Sequence, residues 1–133
     1  LEGQNVELMA NSDNVLRGGL TPKHVDVPEL LKHTLFEGIV PKILSGDDIG
    51  NNQYNYPCSV PDFGINKVAL NGNRHASTAQ SFEIIIATEG GAVVNSSSNS
   101  FILKQGDAMA VLPGESYTID ASAKCILFKA FVP

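Results

Sequence analysis

The sequence predicts a mostly β protein, a sandwich or jelly roll, preceded by a strand-like segment, a loop and one short helix. Three observations predict it: seven short apolar runs follow residue 63, turn residues separate these runs, and one helical pattern lies upstream. The chain has 133 residues, of which 43% are hydrophobic and 17% are charged. It is therefore long enough for one domain with a buried core.

The first 25 residues predict a strand and a tight loop. Residues 6–9 alternate between apolar and polar side chains, as in a half-buried strand. Residues 11–13 offer capping side chains and Gly18-Gly19 closes the segment. A single helical turn between them places Asp13 and Arg17 on one face, four residues apart.

A helix is predicted over residues 27–36, because Asp26 is suited to cap it and Pro28 falls in its first turn. Its apolar stripe is supplied by Leu30, Leu31, Leu35 and Phe36. Residues 45–61 are rich in Gly, Asp, Asn, Tyr and Pro, which predicts a long irregular connection.

The rest of the chain predicts strands. The apolar runs cover residues 63–70, 82–87, 92–94, 100–103, 108–112, 116–119 and 124–132. Turn signals separate them, among them Gly72, Gly90-Gly91, Gly106-Asp107 and Pro113-Gly114.

Composition excludes several classes of function. The net charge is −5, so a broad nucleic-acid-binding surface is not expected. No apolar run approaches the roughly 20 residues that cross a bilayer, so no membrane association is expected. Cys58 and Cys125 lack metal-ligand spacing and are interpreted as two thiols in a reducing compartment rather than a disulfide. The chain lacks an initiator Met, and we expect its true start upstream.

The β region resembles the cupin pattern, a jelly-roll barrel. Gly106-Asp107, Pro113-Gly114 and Tyr117 follow the second cupin motif, and Glu83 with Gly90 has the spacing that ends the first. Metal-binding cupins use a His-x-His pair and a later His. Here the first motif offers only His75, and Tyr117 stands at the later position. The resemblance therefore implies a degenerate, metal-free barrel that serves as a structural or binding module.

A second resemblance covers residues 4–31 and is more specific. The run Asp13-Asn14-Val15-Leu16-Arg17-Gly18-Gly19-Leu20-Thr21-Pro22-Lys23 is similar to the signature of type I mannose-6-phosphate isomerases. In that family the signature ends a catalytic cupin and is followed by a helix and a degenerate cupin. The resemblance implies three segments: 1–25 as the end of the catalytic cupin, 26–62 as a helix and irregular connection, and 63–133 as the degenerate barrel.

The resemblance also implies a cytoplasmic zinc enzyme that interconverts mannose 6-phosphate and fructose 6-phosphate through an enediolate. The family's zinc ligands precede the signature, so no metal ligand is expected in this chain. We therefore predict a C-terminal portion of the enzyme that is inactive alone and holds no tight zinc. The expected partner is a small-molecule sugar phosphate, and the oligomeric state is left open, a homodimer included.

The resemblance implies roles for four residues, and each has a structural alternative. Arg17 is implied to bind phosphate or an enediolate oxygen, although a surface ion pair with Asp13 is the alternative. Asp13 is implied to act in proton transfer or ring opening, and is also a suitable helix cap. Glu7 is implied to be an acid/base or substrate-orienting group, or else a solvated strand residue. Lys23 is implied to bind the phosphate, although exposed lysines are usually only solvated.

Two alternatives to the isomerase remain at this point. A metal-free cupin that binds sugars or nucleotide sugars, as in regulators, would use the same barrel without catalysis. A metal-dependent cupin oxygenase is disfavoured because the His-x-His pair is missing. His24, His33 and His75 have no metal-ligand spacing and are interpreted as surface or core residues.

Overall fold

The computed structural model describes residues 2–11 and 15–133. The chain divides into two compact units, one of residues Met9–Ile43 and the other of Leu44–Pro133 with the N-terminal residues up to Leu8. In the described part of the chain, no helix is long and apolar enough to cross a membrane.

The larger unit is a two-sheet β structure. The described residues form one helix and ten strands: α1 (Val27–His33), β1 (Asp47–Asp48), β2 (Gln53–Tyr56), β3 (Gly64–Asn71), β4 (Arg74–Thr78), β5 (Glu83–Glu89), β6 (Ala92–Ser96), β7 (Ser100–Leu103), β8 (Ala108–Val111), β9 (Ser116–Asp120) and β10 (Lys124–Phe131). One sheet has the order β1-β2-β3-β10-β5-β8 and the other β4-β9-β6-β7. All neighbours pair antiparallel. The predicted jelly-roll class is confirmed.

Each of the seven apolar runs predicted as strands becomes a strand, namely β3 and β5 to β10. Two predictions missed strands. Residues 45–61, predicted to be irregular, contain β1 and β2, and β2 pairs with β3 along its whole length. The short, polar β4 pairs with β9. β2 and β4 are ordered by backbone hydrogen bonds to the more apolar strands β3 and β9. Their own side chains do not indicate a strand.

Helix α1 begins where the sequence predicts, because the Asp26 carboxylate accepts a hydrogen bond from the Glu29 backbone at 2.9 Å. It ends at His33, however, and not at residue 36. Thr34 adopts an extended conformation and its hydroxyl donates to the Leu30 carbonyl at 2.8 Å, which satisfies one of the last free carbonyls. The predicted apolar stripe is not a buried face, since Leu31, Leu35 and Phe36 are exposed and Leu30 is only half-buried.

The strand predicted over residues 6–9 is also wrong. Val6 and Leu8 are half-buried while Glu7 and Met9 are exposed, so the predicted alternation of burial is present. The segment nevertheless forms no ladder with another described strand. Alternation reports only that one side of an extended segment is covered, whereas a strand also needs a partner for its backbone.

The core lies between the two sheets and follows the two-residue period of the strands. Its most buried members are Val68, Leu70, Ile85, Val94, Ile119, Cys125 and Leu127. The turn after β5 depends on glycine, because a Cβ at Gly90 would collide with the carbonyl oxygen of Lys124. Gly90 also has a φ of +69°, which other residues adopt at a cost. Cys58 is exposed and Cys125 is buried, and both are free thiols, in agreement with the prediction that they do not form a disulfide.

Candidate functional site

Arg17 lies in the loop that leads into α1 and is half-buried. Its carbonyl accepts a hydrogen bond from the Asp26 backbone at 3.2 Å, which fixes the loop to the start of the helix. A Cβ at Gly18 would lie 3.0 Å from Leu30 Cδ2, so a larger residue there would require the leucine side chain to shift. The loop geometry therefore fixes the backbone of Arg17 while part of the residue stays accessible.

The other signature residues are more exposed. Lys23 is exposed, and its backbone donates to the Thr21 hydroxyl at 3.2 Å. Glu7 is exposed as well and belongs to the larger unit, whereas Arg17 and Lys23 belong to the smaller one. Asp13 lies outside the described residues. The catalytic and phosphate-binding roles of these four residues stay predictions.

A second group of polar side chains lies inside the barrel. Lys129 Nζ is 3.2 Å from Glu83 Oε1, and each of the two side chains is only 6% exposed. Tyr117 donates its hydroxyl to Glu83 Oε2 at 2.7 Å. Lys129 also reaches the Tyr117 hydroxyl at 3.4 Å and the Ser77 hydroxyl at 3.5 Å. We call Ser77, Glu83, Tyr117 and Lys129 the interior network.

Strand periodicity places the interior network. In β10 the buried positions are Cys125, Leu127 and Lys129, so the lysine continues an apolar inward face. In β5 the buried Glu83 begins the inward face. In β9 the buried Tyr117 is opposite Ser77 of β4. Four strands, two from each sheet, therefore contribute one polar side chain each to one end of the interior.

The environment keeps Tyr117 protonated. Burial raises the pKa of Tyr117 well above its usual value, because the phenolate would lose its hydration. The neighbouring Glu83 carboxylate raises it further, both as hydrogen-bond acceptor and as a like charge. Tyr117 is thus a neutral donor that satisfies one carboxylate oxygen, while Lys129 satisfies the other.

His75 lies beside this network and is fully buried. Burial lowers its pKa, and the charge of Lys129 adds to this, although the hydrogen bond with the Asn51 carbonyl at 2.8 Å opposes it. The contact places the ring proton on Nδ1, so Nε2 is an acceptor. Among the described residues Nε2 has no hydrogen-bond partner.

The chemistry of the interior does not fit a zinc ion. Structural and catalytic zinc sites use three or four ligands from Cys, His, Asp and Glu. Within residues 2–11 and 15–133 no group of three or more such side chains could hold a metal. The Lys129 ammonium already pairs with Glu83, and the Tyr117 hydroxyl keeps its proton because its pKa is raised. A metal cation at this place would be repelled by Lys129 and would find no deprotonated tyrosine as a ligand.

Sequence reasoning identified Glu83, Tyr117 and His75 but missed Lys129 and Asn66. A signal for Lys129 existed, because it falls two residues after Leu127 in an inward-facing series of an apolar strand. Asn66 occupies the equivalent position in β3, where it pairs with Lys129 across the ladder. A charged residue at a core position requires a partner, and that requirement points to Glu83.

The fold and the polar interior define a cupin-type barrel. Residues 52–129 match the model of the family "Mannose-6-phosphate isomerase, cupin domain". This chain belongs to that family.

Curated relatives and solved structures agree with this assignment. The chain is 35% identical over 117 residues to the mannose-6-phosphate isomerase of Escherichia coli (strain K12), covering 87% of this chain and 30% of that protein. It is 33% identical over 134 residues to the enzyme of Rattus norvegicus, covering 96% and 28%. The crystal structure of a point mutant of phosphomannose isomerase from Salmonella typhimurium matches with a TM-score of 0.72 and 27% identity, covering 92% of this chain and 32% of that one. The chain therefore spans about a third of the length of these relatives.

An RmlC-like cupin from Shewanella frigidimarina shares the fold alone. It matches with a TM-score of 0.55 and 20% identity, covering 65% of this chain and 80% of that chain. The jelly-roll region is thus similar to a second cupin as well as to the isomerases.

Proposed function

We propose that this chain is part of an enzyme that interconverts mannose 6-phosphate and fructose 6-phosphate. The observation that carries the proposal is the signature loop, in which Arg17 is half-buried and its backbone is bonded to Asp26. Family membership supports the same reaction, because the relatives bear the name of this isomerase. The proposed segments are 1–25 for the catalytic part, 26–62 for the helix and the connection, which contains β1 and β2, and 63–133 for the rest of the barrel.

The reaction moves one proton between neighbouring carbons. A carboxylate removes the proton from C2 of the open-chain aldose, and the electron pair passes to the carbonyl oxygen to form an enediolate. Return of a proton to C1, with transfer of the O2 proton to O1, gives the ketose. Glu7 and Asp13 are the proposed carboxylates for these transfers. Arg17 donates hydrogen bonds to the oxygen that becomes negative.

The phosphate requires cations that stay charged. Arg17 offers a planar fork of donors and Lys23 an exposed point charge, six residues further along the same segment. An exposed lysine can present its ammonium to an anion in solution. We propose Lys23 and Arg17 as the phosphate-binding residues.

We propose zinc as a cofactor of the intact enzyme, bound by residues outside those described. The relatives imply a metal-dependent enzyme, but the side chains described here do not fit a metal, so no step of the reaction is assigned to one. The two free thiols are consistent with a reducing compartment, and we propose a cytoplasmic location.

Replacing Arg17 tests the proposal in the intact isomerase that carries this chain. Arg17→Ala is expected to lower kcat by at least about a hundredfold, since one lost oxyanion donor commonly costs about 10²–10³ in rate. Loss of stability should stay at about 1 kcal/mol or less, because the side chain is not part of a core. Arg17→Lys should restore activity only in part, because it keeps the charge and loses the fork. Steady-state kinetics and a thermal melt measure both.

Arg74→Ala is the matched control. Arg74 is an exposed barrel arginine whose guanidinium contacts Asp120 at 2.6 Å, and its loss should leave kcat unchanged. Near-normal turnover of Arg17→Ala, or an equal loss in both variants, contradicts the assignment of the loop.

A further inference from the structure

Glu83 and Lys129 of the interior network lie on the floor of a cavity that opens to the surface of the barrel. The cavity has a volume of about 310 Å³, at the lower end of the range of about 300–1,000 Å³ typical of small-molecule sites. Its floor consists of the buried Asn66, Glu83 and Lys129. Half-buried and exposed side chains form the walls and the mouth: Gln53, Ser77, Thr78, Gln80, Ser81, Phe131, Val132 and Pro133.

Asn66 supplies the observation that points to a ligand. The residue is only 5% exposed and lines the cavity, and its Oδ1 has no hydrogen-bond partner in the part of the chain that the structure describes. A buried acceptor without a donor is costly, since about 1–3 kcal/mol of desolvation is left uncompensated. An O–H donor that reaches Asn66 Oδ1 would remove that cost.

The charges of the floor restrict the class of ligand. Lys129 and Glu83 neutralise each other, so a ligand with a net charge of either sign meets a like charge at the floor as well as an opposite one. An apolar ligand would strip water from the ion pair and leave Asn66 Oδ1 unsatisfied. A neutral molecule with several hydroxyl groups avoids both penalties, because each hydroxyl can donate to Asn66 and accept from Ser77, Thr78 or Gln80.

We propose that this cavity binds an uncharged polyhydroxy compound, of the size of a monosaccharide or smaller, through Asn66, Ser77 and the Glu83–Lys129 pair. The site lies in the barrel and needs neither the signature loop nor a phosphate on the ligand. It is thus separate from the isomerase activity proposed above, and either proposal can fail without the other.

Titration of the isotope-labelled chain, followed by backbone NMR, tests the proposal. The probes are D-mannose, D-sorbitol and D-mannose 6-phosphate. The expected result is saturable binding of D-mannose or D-sorbitol with a Kd below about 1 mM, with shifts at β3, β5 and β10. Asn66→Leu should weaken this at least about tenfold, because the acceptor is lost while the volume is kept.

Asn71→Leu is the matched control, since it makes the same change on the same strand at an exposed position outside the cavity, and it should leave the Kd unchanged. A melt shows whether Asn66→Leu folds, and Ser77→Ala, expected to weaken binding about threefold or more, is the second variant. Absence of saturation with both neutral probes, binding that survives both variants, or binding of D-mannose 6-phosphate alone overturns the proposal.

Discussion

Two Lys–Glu pairs join the same two antiparallel strands, β5 and β10, at opposite ends. Lys124 and Glu89 are 2.8 Å apart and their side chains are 66% and 49% exposed. Lys129 and Glu83 are 3.2 Å apart and each is 6% exposed. The chemistry and the strands are identical, so burial is the variable that differs most. The shorter pair is the solvated one, and we expect it to matter less, because water replaces either partner.

A β-bulge creates this difference. Leu127 is opposite Ala87 and Ile126 is opposite Glu89, so Thr88 is an extra residue in β5. Had the pairing stayed regular past Leu127, Thr88 would lie opposite Ile126 and Glu89 opposite the buried Cys125. The bulge turns Glu89 to the solvent instead, and the Thr88 hydroxyl donates to the Ile126 carbonyl at 3.2 Å. The register shift at Thr88 therefore accounts for the exposure of Glu89, whereas Glu83 lies before the shift.

The largest effect is expected at the buried pair. Glu83→Gln leaves the Lys129 ammonium buried without a counter-charge and should lower the free energy of unfolding by about 3–5 kcal/mol. Adding Lys129→Met to this variant removes the uncompensated charge and should recover most of the loss. Urea unfolding of the wild type, both single variants and the double variant measures the coupling. A double variant no more stable than Glu83→Gln contradicts this account.

A smaller loss is expected for Tyr117→Phe. The variant removes the donor to Glu83 Oε2 and should cost about 1–3 kcal/mol, because a buried acceptor is left unsatisfied. It should also change the response to alkali. The pKa of Tyr117 is raised in the folded protein, so above about pH 10 the unfolded chain releases this proton first and binds fewer protons than the folded chain.

Stability gained from Tyr117 is therefore fully present below about pH 10 and is lost as the pH rises above it. The slope of stability against pH in that range should be smaller in Tyr117→Phe. Tyr54→Phe, which lies outside the interior network, serves as the control and should keep the slope of the wild type. Equal slopes in Tyr117→Phe and the wild type contradict the assigned hydrogen bond.

Much of the fold is readable from local patterns. The seven apolar runs and their Gly and Pro turns predict β3 and β5 to β10, because alternation and turn chemistry are properties of neighbouring residues. The polar β4 could not be predicted in the same way, since its order comes from pairing with β9. The bulge at Thr88 leaves no local signal either.

In the candidate site, too, some residues can be identified from the local sequence and others only from the fold. The signature loop is a contiguous run, so the resemblance names Arg17 and Lys23 as candidates without the fold. The interior network joins residues that are 12 to 52 positions apart in sequence. Glu83 and Tyr117 were visible through the cupin spacing, but Lys129 gains its role from the register of β3, β5 and β10. That register is a tertiary property.

The smallest effect is expected at the exposed pair. Glu89→Gln should lower the free energy of unfolding by less than about 1 kcal/mol, because Lys124 stays hydrated when its partner is removed. The small loss should shrink further at about 1 M salt, where the screening length is about 3 Å. The Glu83→Gln loss should change much less with salt, since ions do not reach a pair that is 6% exposed. Urea unfolding of both variants at low and high salt makes the measurement. A loss for Glu89→Gln that exceeds the loss for Glu83→Gln would show that contact distance outweighs burial on these strands, and the order of effects proposed for the two pairs would then be reversed.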